Sequence, residues 1–220
     1  GTLCMAFPDT YTIGMSHHGL QILYSLMNAR DDWACERAFA PLADMEKALR
    51  AEGLPLYSLE SFTPLCEFDV LGFSLQYEIS YPSVLTILDL GGIALHSTER
   101  GIDAPLVIAG GPCTQNPEPM ADFFDVFVTG DGEPALPALC DMWLDLQVEA
   151  GLRTPEGRRT AEAESLAQDS SASCRMREAL LAQLAGRLPF AYVPRFYEPE
   201  YLPDGRYVTI HRTRSDVPAT

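Results

Sequence analysis

Five short apolar runs alternate with helix-like segments, and this alternation constrains the fold more than any other feature. The runs are "TLCMAF" (2–7), "ACERAFAP" (34–41), "FDVLGFSL" (68–75), "PLVIAGG" (105–111) and "FDVFVTG" (124–130). "FDVLGFSL" is apolar on both faces, as strands covered on both sides of a parallel sheet are. Residues 17–29 place Leu20, Leu23, Tyr24 and Met27 on one helical face. "ADMEKALRAEG" reads as a helix closed by Gly53, and "YPSVLTILDLGG" as one with Pro82 in its first turn and Gly91-Gly92 at its end. "EPALPALCDMWLDLQVEA" reads as a helix starting near Pro134. The order predicts an α/β domain over residues 1–149: a flavodoxin-like, five-stranded parallel sheet of order 2-1-3-4-5 with helices on both faces.

Beyond residue 149 the pattern changes. "GLRTPEGRRTAEAESLAQDSSASC" is polar and has few large apolar residues, which predicts a linker or mobile insertion over 150–174. Residues 175–220 read as a helix, near 175–186, followed by a β-hairpin turning at Pro203-Asp204-Gly205. The tyrosines of this extension (Tyr192, Tyr197, Tyr201, Tyr207) suggest that it packs on something larger.

Charge and composition exclude some functions. A net charge of −16 disfavours direct nucleic-acid binding and anionic membranes, where cations must neutralise phosphates. No apolar run reaches the roughly 18 residues of a membrane-spanning helix. The six cysteines are widely spaced, with no C-x-x-C or C-x-x-x-C pair for zinc or an iron–sulfur cluster. They read as reduced, mostly buried thiols of a cytoplasmic, bacterial protein. Strand-like sequence begins abruptly at Thr2, which reads as a fragment rather than a natural N-terminus.

In an open parallel sheet, ligands bind beyond the carboxyl ends of the strands. The loop after the first run, "PDTYTIGMSHHG", is longer than a βα turn of 2–6 residues needs to be. It offers Asp9, Tyr11, Gly14, Ser16 and His17, with Ser16 as a plausible helix N-cap. The other edge loops add Ser74, Leu75, Gln76 and Tyr77; Gly110, Gly111 and Pro112; and Gly130 and Gly132. Small residues there let a ligand approach the backbone. Of His17 and His18, one is expected to face the ligand edge and one solvent, and local capping is the commoner role for such a residue. Asp9, Glu78, Asp131 and Glu133 lack the paired aspartates of a Mg²⁺ phospho-acceptor site. No G-x-G-x-x-G follows the first run, which argues against a dinucleotide site.

"DTYTIG" has the spacing of the D-x-H-x-x-G motif of cobalamin-binding domains, with Tyr11 in the histidine position. Ser74-Leu75 resembles part of their S-x-L motif, and Gly110-Gly111 their third motif. The fuller strings "LGFSLQYEISYPSVLTILDLGGI" and "IAGGPCTQNPEPMADFFDVFVTGDGE" resemble the N-terminal B12-binding-like domain of a group of radical-SAM proteins, over about residues 1–148. "YVPRFYEPEY" resembles that group's connection into the radical-SAM barrel. The resemblance implies a base-off cobalamin with no protein histidine on cobalt, because a phenol is a poor ligand at neutral pH. Its nucleotide tail would lie in a pocket edged by Ser74 and Gly110-Gly111, and a bulky residue at Gly111 is expected to fill that pocket. SAM and a 4Fe–4S cluster would belong to a radical-SAM barrel in cis. This chain lacks the C-x-x-x-C-x-x-C triplet, so it is expected to be non-catalytic alone. The competing expectation is a degenerate domain that recognises a substrate or partner. Bulky residues across the pocket mouth (Tyr77, Tyr81, Gln115) would favour it.

Overall fold

The computed structural model describes residues 1–218. Its main sheet holds β1 (Thr2–Phe7), β2 (Ala34–Phe39), β3 (Val70–Ser74), β4 (Leu106–Gly110), β5 (Val126–Val128) and β6 (Ala191–Tyr192). The order is β2-β1-β3-β4-β5-β6, and the first five strands run parallel, as the alternation predicts. The helices are α1 (Tyr11–Gly14), α2 (His18–Asn28), α3 (Ala43–Glu52), α4 (Tyr81–Leu90), α5 (Gly132–Glu149), α6 (Ala161–Ala167) and α7 (Ser170–Arg187).

Side chains alternate across the sheet with period 2. Leu3, Met5, Val70, Ile108, Val126 and Val128 face one core with residues of α2, α5 and α7. Cys4, Ala6, Leu71, Phe73, Val107 and Phe127 face the other with residues of α3 and α4. Both edges of the sheet are managed. On the β2 edge, Leu59 N–H donates to Arg37 O at 2.7 Å. The Glu60 carboxylate accepts from Arg37 N at 2.8 Å and from its Nε at 2.7 Å. On the other edge, β6 pairs antiparallel with β5 (Phe127 opposite Tyr192).

β6 is a departure from expectation, because "AYV" joins the main sheet instead of the hairpin. The hairpin itself is β7 (Tyr197–Tyr201) paired with β8 (Tyr207–Arg212). The expected linker also differs, for residues 150–174 are folded and packed. Thr160 Oγ1 caps α6 by accepting from Ala163 N at 3.2 Å, and Asp169 Oδ1 caps α7 by accepting from Ala172 N at 3.0 Å. Leu152 and Ala163 enter the core. Arg153 pairs with Asp69, and Ser173 Oγ accepts from Ile102 N at 2.9 Å. Two capped helices and a few buried contacts thus order a segment whose composition alone reads as mobile. α7 begins at Ser170, earlier than 175, because Asp169 supplies the cap.

At the amino end of β5 lies an ionic cluster in which Asp125, Arg100 and Arg177 are fully buried. Asp125 accepts from Arg177 at 2.8 Å, from Arg100 at 3.1 Å and from Arg195 at 3.3 Å. Other donors of Arg100 and Arg177 go to backbone carbonyls, among them Ala94, Leu95, Phe123, Gly101 and Pro105. Arg195 Nε is left buried without a partner. Burial alone would raise the Asp125 carboxyl. The charges of Arg177 and Arg100, with the Arg177 hydrogen bond and Arg195, outweigh it and bring it down to about 2. Burial acts in the opposite sense on Arg100 and Arg195, pulling both below the ordinary guanidinium value.

Asp125→Asn should destabilise the fold by about 3–5 kcal/mol, since it leaves buried guanidiniums uncompensated. Urea denaturation checks this. The folded carboxyl titrates below its unfolded value of about 3.9. The stabilisation from Asp125 is therefore fully present above roughly pH 4 and lost as pH falls towards about 2. The variant's deficit in stability should shrink over that window.

Candidate functional site

At the carboxyl edge of the sheet a slot of about 260 Å³ opens between the start of α2 and the start of α5. Its floor is formed by Met5, Gly72 and Ile108, in register on three neighbouring strands, and by Val128 of β5, two residues beyond the Val126 that pairs with Ile108. Gly19 and Leu23 of α2 line one wall, and Gly132, Glu133 and Leu136 of α5 the other. The slot exists partly because Gly72 puts no side chain on the floor. A glycine inside a strand marks a place where another group approaches the backbone. At Gly132 a Cβ would lie 3.3 Å from Leu23, so the two helix starts come close.

The glycines at the mouth differ. At Gly111 the backbone has φ +102°, and an added Cβ would sit 2.7 Å from the Leu75 carbonyl oxygen. Gly111 is therefore fixed by the turn, and a bulky residue there would distort the loop before it filled the slot, contrary to expectation. At Gly110 an added Cβ meets nothing within 4 Å. Gly110 is the position from which a side chain would enter open space.

The polar groups are few. His17 is half-buried, is the N-cap of α2, and lies on the slot. Its Nδ1 accepts from Leu20 N at 3.1 Å, so the proton of the neutral ring sits on Nε2. Its ring packs 5.1 Å from Phe7. His18 is exposed. Ser74 Oγ accepts from Gln76 Nε2 at 2.9 Å. Asp131 and Glu133 stand at the N-terminus of α5, where their charge offsets the helix dipole. The slot thus has an apolar floor, neutral donors and acceptors at its rim, and a carboxylate pair that disfavours anions. This chemistry suits a flat, uncharged ring system.

Of the residues read from the sequence, the slot brings together His17, Ser74, Gln76, Gly110, Gly111, Gly130 and Gly132. The others lie elsewhere. Asp9 accepts from the Thr10 N–H at 2.6 Å, which shapes the turn. Tyr11 lies against Phe39, ring centroids 5.5 Å apart, on a separate hollow beside β2. Gly14 is buried, and a Cβ there would meet the Phe39 ring at 2.3 Å, so its smallness serves packing. Ser16 donates to Ile13 O at 2.8 Å and does not cap α2, because the loop winds into α1 and moves the helix start on to His18. Leu75 is buried in the opposite core, Tyr77 is exposed, and Pro112 opens a short 3-10 turn. Sequence reasoning did not assign Met5, Gly72, Ile108, Val128 or Leu136 to the site. The signal for the floor was period 2: these strand residues share the face of Ser74 and Gly110. Among the described residues no group of three His, Cys, Asp or Glu side chains could hold a metal ion, and all six cysteines are free.

A family model described as "Radical SAM proteins, N-terminal" matches residues 19–166, more than half of the chain. The chain is also similar to an uncharacterized protein, MJ0966, of Methanocaldococcus jannaschii. The two are 31% identical over 93 residues, which is 42% of this chain and 19% of that protein. The matched stretch thus spans about a fifth of the relative's length.

Gly111→Ala should cost about 1–3 kcal/mol, because it strains a left-handed backbone position against the Leu75 carbonyl. Gly110→Ala should change stability by less than about 1 kcal/mol. Urea denaturation of the two single variants measures the contrast.

Proposed function

We propose that this chain, which belongs to the N-terminal family of radical SAM proteins, holds the nucleotide tail of a base-off cobalamin in its carboxyl-edge slot. The observation that carries this reading is the slot itself: an apolar floor across four strands, closed by two helix starts and open at Gly110. At about 260 Å³ it lies below the roughly 300–1,000 Å³ of drug-sized pockets, so it suits one heterocycle and part of its sugar, not a macrocycle. Met5, Ile108, Val128 and Leu136 would contact the ring faces, while Ser74, Gln76 and His17 Nε2–H would meet its polar edge. Bound cobalamin supplies a cobalt centre able to carry a methyl group. Tyr11 lies off the slot, on a separate hollow, and is not among the residues that would hold the cofactor. Tyr77, Tyr81 and Gln115, the bulky residues that would favour a recognition-only domain, are not among the residues lining it. Under this reading the chain serves a radical-SAM domain in cis, where SAM and the 4Fe–4S cluster reside, and does no chemistry alone. No helix among the described residues is long and apolar enough to cross a membrane.

Titration with hydroxocobalamin, followed by visible absorption, tests the reading. The wild-type chain should bind in the micromolar range and give a base-off spectrum. Gly110→Trp should weaken binding more than about tenfold with its melting temperature nearly unchanged, since its side chain enters the slot. Tyr11→Ala should bind nearly as wild type does. No spectral change at high micromolar cofactor would remove cobalamin, and the domain would then be one that recognises a substrate or partner.

A further inference from the structure

The slot is polar at its mouth and apolar at its inner end, and the division follows the strands. Ser74 and Gly110 pair in register at the mouth. Gly72 and Ile108 are the next residues inward on the same face, with Met5 in register beside Gly72. Two residues of strand separate the two levels by about 6.6 Å, close to the long axis of a fused five- and six-membered ring. The polar side chains of the lining belong to the mouth. Ser74 ends β3, and Gln76 follows it. His17 and Asp131 cap the starts of α2 and α5, and Glu133 stands in the first turn of α5. The inner end is lined by Met5, Ile108, Leu23 and Leu136, whose side chains carry no nitrogen or oxygen. β3 is paired on both sides there, so its backbone groups are spent in the ladder.

Gly72 makes the inner end deep. A Cβ at this position would rest 3.5 Å from Ile108 and 3.7 Å from Leu3, which are ordinary contact distances. Its backbone is not left-handed either. The packing and backbone of β3 thus accept alanine, and glycine weakens a strand interior. The missing methyl group serves the slot, not the fold.

We infer that the slot selects the heterocycle of the nucleotide tail by its leading edge, taking a benzimidazole in preference to a purine, with Gly72 setting the depth. This rests on the cobalamin reading of the slot and deepens it. The sugar and phosphate join the base to the macrocycle and stay at the mouth, so the six-membered ring of the base enters first. In dimethylbenzimidazole the leading edge is two methyl groups, which the inner end covers with apolar contacts. In an adenine-bearing cobamide that ring carries two nitrogens and an exocyclic amine, which the inner end leaves without partners. Each polar group buried unpaired lowers affinity by about tenfold. The free nitrogen of the five-membered ring stays nearer the mouth, at the level of the His17 Nε2–H donor.

Equilibrium titration of this chain with four corrinoids tests the inference. They are cobinamide, which has no nucleotide tail, and cobamides bearing dimethylbenzimidazole, unsubstituted benzimidazole or adenine. Each affinity is corrected for the cobamide's base-on equilibrium in free solution, read from its acid titration. Both benzimidazole cobamides should bind at least about tenfold more tightly than the adenine cobamide. Gly72→Ala should weaken the dimethylbenzimidazole cobamide by at least about tenfold and the unsubstituted one by less than about threefold. It should leave cobinamide binding unchanged and melt close to wild type or higher. Exchanging a methyl group on the ligand for one on the protein gives a pattern that a general loss of folding does not. An adenine cobamide bound as tightly as cobalamin, or a Gly72→Ala variant that weakens both benzimidazole cobamides equally, would overturn the inference and leave the cobalamin reading standing. Cobinamide bound by wild type as tightly as cobalamin, or no corrinoid bound at all, would overturn both.

Discussion

One buried carboxylate organises the part of this molecule that sequence periodicity does not. Asp125 collects guanidinium groups from residues 25, 52 and 70 positions away in the chain. Arg100 comes from the connection before β4, Arg177 from α7 and Arg195 from the turn after β6. Buried ion pairs gain little over well-packed apolar groups, but a buried charge left alone is very costly. The cluster therefore penalises every arrangement in which these segments dock elsewhere. One carboxylate cannot neutralise three guanidiniums, and other donors of Arg100 and Arg177 are met by carbonyls of the loops around β4 and β5. The loops are thus held by the same side chains that hold the C-terminal extension.

This explains which parts of the fold could be read in advance. The five parallel strands were legible because burial on both faces writes continuous apolar runs into the sequence. The helices between them were legible from their apolar stripes. β6 was not: its ladder is two residues long, and its place beside β5 depends on Arg195 and Arg177 reaching Asp125. The segment 150–174 misled for a related reason. Its order comes from caps at Thr160 and Asp169 and from a few long-range contacts such as Arg153 with Asp69. Composition averages over such contacts and cannot show them.

The site was half legible by the same logic. Residues at the carboxyl ends of strands can be read from strand order alone, so Ser74, Gly110, Gly111, Gly130 and Gly132 were found. The depth of the slot comes from inside the sheet, where Gly72 interrupts an otherwise apolar row. Loop one carried the richest chemistry in sequence, yet most of it serves local structure. Asp9 shapes the turn, Gly14 admits Phe39, and Tyr11 packs on that same ring. Of Asp9, Tyr11, Gly14, Ser16 and His17, His17 reaches the slot, and its Nδ1 is already committed to capping α2. A motif-level likeness thus pointed to the sheet edge where the slot lies, but most of the loop-one residues it named do not line that slot.

β5 joins the slot to a second concavity, between the β7–β8 hairpin and the loop after β4. Val128 lies on the slot floor, while Phe127, its neighbour on the opposite face, pairs in register with Tyr192 and packs near it at 6.4 Å. Tyr192 in turn forms part of the wall of that concavity and stacks on Tyr197 at 4.8 Å. Such a chain of contacts would transmit motion if β5 could slide. It is instead pinned at its amino end, because Asp125 directly precedes Val126 and is fixed by three arginines. The strand is three residues long, so no part of it lies far from that anchor. Coupling needs an element with two arrangements of similar energy. Moving β5 would break a buried ionic cluster, which makes a second arrangement costly. The geometry therefore favours two rigid, mechanically independent surfaces, one shaped for a flat ring and one lined by tyrosines and carboxylates.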